Sequence, residues 1–165
     1  MKSILAVLAI AVAALSAYTQ ETKPGVLGAE DLKRVVPSVY FFRGQSATVQ
    51  LRNAGGFAAS DGKLMFAALV DTSGYAADVQ AKYQGLLITE IKLNVGGTSL
   101  VPGQYGFGFT KDGKFLVMDV GANDLLKADV HSDEKLTHPV PLKMSADGAS
   151  YRLYAGRKWV NLKPE

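Results

Sequence analysis

The sequence predicts an all-β protein, an antiparallel β-sandwich or small barrel carrying one or two short helices. Three observations carry that reading. Apolar residues alternate with period two along several stretches, the mark of strands with one buried face. Asp-Gly dipeptides at 61–62, 112–113 and 147–148 sit between apolar runs, where hairpin turns belong. The strand candidates also recur at short, regular spacing, as they do in sandwiches and barrels.

Taken in order, the chain begins with a short positive segment, Met1-Lys2-Ser3, followed by 12 apolar residues at 4–15 and small residues at 14–17. A membrane-crossing helix needs about 20 apolar residues. The layout is instead that of a secretory signal peptide spanning residues 1–17. The expected mature protein is exported, periplasmic or extracellular, with no transmembrane segment. Residues 18–28 are polar, carry Pro24-Gly25, and read as a flexible leader to a single β domain at 29–165.

Residues 29–36 read as a short helix, with acids first and bases last, Glu30 poised to pair with Arg34 and Pro37 as the stop. Strands are expected at 38–42 and 47–52, the latter with Ala47, Val49 and Leu51 on one face. Residues 63–71 and 114–121 are apolar on both faces and read as central, doubly covered strands. A second helix is expected where Tyr75, Val79 and Tyr83 recur every four residues, with Asp78 facing Lys82 and Gly85 as its cap. Thr89, Ile91, Leu93 and Val95 define one further strand. Residues 104–110, 139–144, 150–155 and 158–162 complete the set, and Pro102-Gly103 suits a type II turn.

Composition excludes several function classes. The chain has 165 residues, 48% hydrophobic and 20% charged, too apolar for a disordered protein. It contains no cysteine, so there is no disulfide framework, thiol nucleophile or thiolate metal site. A net charge of +3 gives little reason to expect nucleic acid as a partner. Arg152, Arg157, Lys158 and Lys163 lie among Tyr151, Tyr154 and Trp159, a pattern that can bind single strands; export removes the usual access to them. Ser60-x-x-Lys63 and Ser132-x-x-Lys135 have the spacing of a serine-lysine pair but no companion motif, and the first is a hairpin turn.

Two constellations could be more than scaffold. In Tyr105-Gly106-Phe107-Gly108-Phe109 an extended chain puts Tyr105, Phe107 and Phe109 on one face and glycines on the other. The aromatics either fill the core, with the glycines admitting a bulky neighbour, or wall a site for an apolar ligand. In Asp129-Val130-His131-Ser132-Asp133 an extended chain would align Asp129, His131 and Asp133 on one face, about 6.6 Å apart. A fourth ligand from His138, Glu134 or Asp124 would complete a divalent-metal site; the same charges also suit a solvated connection.

Leu100-Val101-Pro102-Gly103-Gln104-Tyr105, with strands on either side over about residues 86–121, resembles a Leu-x-Pro-Gly-x-Tyr hairpin of secreted bacterial β-sandwich modules of unknown function. The resemblance implies a β-sandwich and no catalytic residues. The expected role is a non-catalytic binding or interaction module without a bound cofactor, its partner an unknown protein or small apolar ligand. The alternatives are a metal-dependent hydrolase built on Asp129, His131 and Asp133, and a barrel enclosing a small lipophilic ligand.

Overall fold

The computed structural model describes residues 23–165. The signal-peptide expectation at 1–17 lies outside the described residues. Fourteen strands and two short helices follow one another in the order β1 (Gly25–Val26), α1 (Ala29–Val35), β2 (Val39–Phe42), β3 (Gln45–Ala58), β4 (Leu64–Val70), α2 (Ala77–Gln80), β5 (Gly85–Thr89), β6 (Leu93–Val95), β7 (Thr98–Leu100), β8 (Gly103–Phe109), β9 (Lys114–Met118), β10 (Asp124–Asp129), β11 (His131–Ser132), β12 (Lys143–Asp147), β13 (Ser150–Ala155) and β14 (Lys158–Pro164). All pairings are antiparallel. They form a large sheet ordered β1-β3-β4-β5-β8-β9-β10, with β2 also on β3, and a smaller sheet ordered β12-β13-β14-β6-β7, with β11 also on β14. This is an all-β, sandwich-like architecture. No helix among the described residues is long and apolar enough to cross a membrane.

The large sheet is buried on both faces, and the sequence of β4 shows why. Met65 and Ala67 point into the core shared with the small sheet, alongside Phe57, Phe107, Phe115, Leu153 and Leu162. Phe66, Ala68 and Val70 point the opposite way, into a second core closed by α1, β2 and the α2 segment. A run that is apolar at every position is what a strand with two covered faces requires. The Asp-Gly dipeptides turn as expected: Gly62, Gly113 and Gly148 take φ of +81°, +77° and +60° between paired strands.

Several expectations are corrected. Thr89 to Val95 is not one strand. β5 ends at Thr89 in the large sheet, and β6 starts at Leu93 in the small one. The Thr89 hydroxyl bridges the crossing, donating to the Ile91 carbonyl at 2.7 Å and accepting from its N–H at 3.1 Å. Pro102-Gly103 is likewise a crossing from β7 to β8 and not a hairpin, because the two strands lie in different sheets. Gly103 is also absent from the positive-φ glycines that a type II turn would need. The second helix is a single turn, with Tyr75 and Tyr83 flanking it. Gly85 belongs to β5, and Lys82 pairs with Asp124 at 2.7 Å. Arg34 pairs with Asp31. Within the expected leader, Gly25 and Val26 pair with Ala58 and Phe57.

Candidate functional site

β2 is apolar on both faces, Val39-Tyr40-Phe41-Phe42, and only one face is buried. Tyr40 and Phe42 point inward, whereas Val39 and Phe41 remain 52% and 58% exposed. Among the described residues the strand pairs with β3 alone. Phe42 faces Gln45 across the two-residue Arg43-Gly44 turn, and Val49 N–H donates to Ser38 O at 2.9 Å. In an antiparallel ladder this parity turns the N–H and C=O groups of Ser38, Tyr40 and Phe42 toward β3. Those of Val39 and Phe41 then face the open edge.

Beside that edge lies a groove of about 480 Å³. Its floor is one cross-strand row of the large sheet, Phe66, Ile88 and Gln104, which are register partners across β4, β5 and β8. Val35 and Pro37 line it from the end of α1, Val39, Tyr40 and Phe41 from β2, and Val120 from the turn after β9. Val120 is itself 46% exposed. The groove exists because β2 covers the next row and stops short of this one. Phe42 settles over Gly106, where an added Cβ would stand 2.3 Å from the Phe42 ring. Contiguous exposed apolar surface of this kind marks interaction sites.

Beneath β2 the second core is rich in phenols. Phe42 stacks on Tyr83 with ring centres 3.8 Å apart, and Tyr75 meets Tyr83 edge-on at 5.2 Å. The Tyr75 hydroxyl donates toward the Phe42 carbonyl at 3.1 Å and the Gln45 carbonyl at 3.3 Å. Burial pushes the Tyr40 phenol up to about 12, with the Tyr75 phenol adding to the effect. Burial raises Tyr83 further, reinforced by Tyr75 and Tyr40.

The residues singled out in the sequence lie elsewhere. Tyr105, Phe107 and Phe109 share one face of β8, as expected, and are buried between the sheets. Phe109 meets Phe115 at 5.0 Å and Phe107 meets it at 5.7 Å. The Tyr105 hydroxyl donates to the Val101 carbonyl at 2.8 Å. Opposite them, Gly106 admits Phe42, and Gly108 lies so close to the Lys82 carbonyl that an added Cβ would be 2.1 Å from its oxygen.

The aligned face expected for Asp129, His131 and Asp133 does not form, because the chain changes sheets at Val130. Asp129 pairs with Lys114 on the large sheet, and that ammonium holds its carboxyl below the usual range. His131 belongs to the small sheet and stacks on Trp159 at 4.5 Å. Asp133 accepts from Lys135 N–H at 3.2 Å and from the Tyr154 hydroxyl at 3.4 Å. The His138 ring nitrogen is 2.9 Å from the Thr137 hydroxyl, Glu134 accepts from Ser132, and Asp124 is held by Lys82. Among the described residues no three His, Asp or Glu side chains group as metal ligands would. On the C-terminal strands, Arg152 lies 4.2 Å over the Trp159 ring and donates to Asp147 at 2.9 Å, while Tyr151 stacks on Phe57 in the core.

Sequence reasoning missed the groove. Its one local signal is residues 38–42, which are too apolar for a strand at the margin of the fold. The fold and the site together define a β-sandwich with an apolar groove beside a free strand edge. No protein-family model, curated protein or solved structure matches the chain.

Proposed function

We propose that the protein is an exported, non-catalytic binding module that takes an extended peptide segment of a partner protein into the groove beside β2. One observation carries this. Exposed apolar side chains, Val39 and Phe41, stand on a strand whose outer N–H and C=O groups pair with no other strand among the described residues. A free edge offers main-chain hydrogen bonds to an incoming strand, and an adjoining apolar groove takes its alternate side chains. Export is supported by the signal-peptide pattern of residues 1–17.

The test is selection of displayed peptides on the purified chain from residue 18 onward, followed by titration of the selected peptides against Phe41→Ser. The reading expects extended sequences with apolar residues at every second position. Losing the Phe41 contact should weaken them at least about tenfold, since burying such a side chain is worth about 1.5–3 kcal/mol. Selected peptides that bind Phe41→Ser as tightly as the parent would place the site elsewhere. A lipophilic adduct in native mass spectrometry, lost in Phe41→Ser, would assign the groove to a small ligand instead.

A further inference from the structure

We infer that a second ligand site lies between α1 and a bulge in β3, and that it takes an amphiphile with an anionic head and an aliphatic tail. The bulge is where the alternation of β3 breaks. Val49 pairs with Val70 and Ala54 with Ala68, so residues 50–53 stand opposite Leu69 alone. Two side chains pin this stretch: the Gln50 amide donates to the Val70 carbonyl at 3.3 Å, and Asn53 donates to the Gln50 side-chain oxygen at 2.8 Å. Leu51, expected on one face with Ala47 and Val49, is lifted off it and left 41% exposed. Bulges re-aim side chains in this way and gather beside functional sites.

Leu51 and Arg52 would point to opposite faces of a regular strand, yet here both line one groove of about 360 Å³. Small-molecule sites span roughly 300–1,000 Å³. Ala29 and Leu32 from α1 and Ala54 from β3 complete the apolar wall, and Glu30 and Lys33 stand with Arg52 around it. The lining holds no uncharged polar side chain, so it suits an aliphatic chain better than a peptide or a sugar. Arg52, Lys33 and Glu30 are exposed, and none has a hydrogen-bond or ion-pair partner among the described residues. Two cations against one carboxylate leave the rim positive, the complement of a single anionic head. The guanidinium of Arg52 can grip a carboxylate or phosphate through two parallel hydrogen bonds. This groove shares no lining residue with the one beside β2.

Decanoate titrated at neutral pH into the chain from residue 18 onward, followed by amide NMR, should shift residues 29–33 and 50–54 and saturate. Decan-1-ol has the same tail without the charge and should bind at least about tenfold more weakly. Arg52→Gln should weaken decanoate by about tenfold and bring it level with the alcohol. Glu30→Gln removes the carboxylate that repels the head and should tighten decanoate. Decan-1-ol binding as tightly as decanoate, or decanoate unaffected by Arg52→Gln, would overturn the inference. So would shifts centred on Val39 and Phe41, which would seat the amphiphile beside β2, or a titration that never saturates.

Discussion

The inner face of the large sheet is closed by a second sheet, whereas its outer face is closed by a helix, a hairpin and one helical turn. Between the sheets, Phe57, Phe107, Phe115, Leu153 and Leu162 interdigitate and none of them is exposed. On the outer face the cover is assembled from separate pieces. It leaves the row Phe66, Ile88 and Gln104 beside an open groove. A sheet covers another sheet completely because its pleat repeats with the same period. Shorter elements cover only the rows they reach, so binding surface is left where the cover ends.

The largest expected effect tests that difference directly. Phe107 and Phe42 are both fully buried, one on each side of the sheet. Phe107→Ala should cost about 5 kcal/mol and Phe42→Ala about 3 kcal/mol, within the range for such truncations. The difference arises because a two-stranded ribbon can settle into the space, whereas two facing sheets cannot. Urea unfolding of the two variants measures it, and equal costs would erase the distinction between the faces. Alanine at the glycines of β8 should come next, both probing the outer cover. Gly108→Ala meets the Lys82 carbonyl, so backbone must move, and about 3 kcal/mol is expected; Gly106→Ala meets the Phe42 ring and should cost about 2 kcal/mol. If Gly106→Ala proves the costlier, the Phe42–Tyr83 stack is the stiffer part of the cover.

The two faces also differ in their response to alkali. Tyr40 ionises at about 12 in the folded chain, against about 10 when unfolded, and Tyr83 is raised as well. A group whose folded pKa is raised leaves stability intact below the unfolded value, and stability then falls as pH climbs toward the folded one. Unfolding free energy should be flat up to about pH 10 and drop above it, by up to about 2 kcal/mol for Tyr40 by pH 12. Tyr40→Phe should flatten that drop. Tyr105 on the inner face is raised by burial too, so Tyr105→Phe is the matched control, and it should flatten the drop less.

Much of the inner face was legible in the sequence. Alternation put Tyr105, Phe107 and Phe109 on one side of β8, and the Asp-Gly pairs marked three hairpins, because both signals act over a few residues. The crossings were not legible. An extended chain keeps its period of two while it leaves one sheet for the other, so residues 89–95 read as one strand, and Val130 hid the separation of Asp129 from His131. The groove is harder still, since its lining residues come from positions 35 to 120 and meet only when β2 lies across β4, β5 and β8. Phe42 and Tyr83 come together in the same way, their rings 3.8 Å apart, from segments whose local patterns carry no sign of the contact.

The smallest expected effect is the sharpest use of the comparison, because it concerns neighbours in one strand. Phe41 and Phe42 share a backbone and a side-chain type, yet one is 58% exposed and the other 0%. Phe41→Ser removes little buried area, breaks no hydrogen bond and creates no cavity. Its unfolding free energy should therefore stay within about 0.5 kcal/mol of the parent. Beside a loss of about 3 kcal/mol at Phe42, that near-zero value would mean that stability does not account for Phe41. An exposed phenylalanine with no structural task, standing at the mouth of an apolar groove, is then best accounted for by what the groove receives. Thermal unfolding that places Phe41→Ser several degrees below the parent would instead make Phe41 part of the cover, and the groove a seam between packed elements.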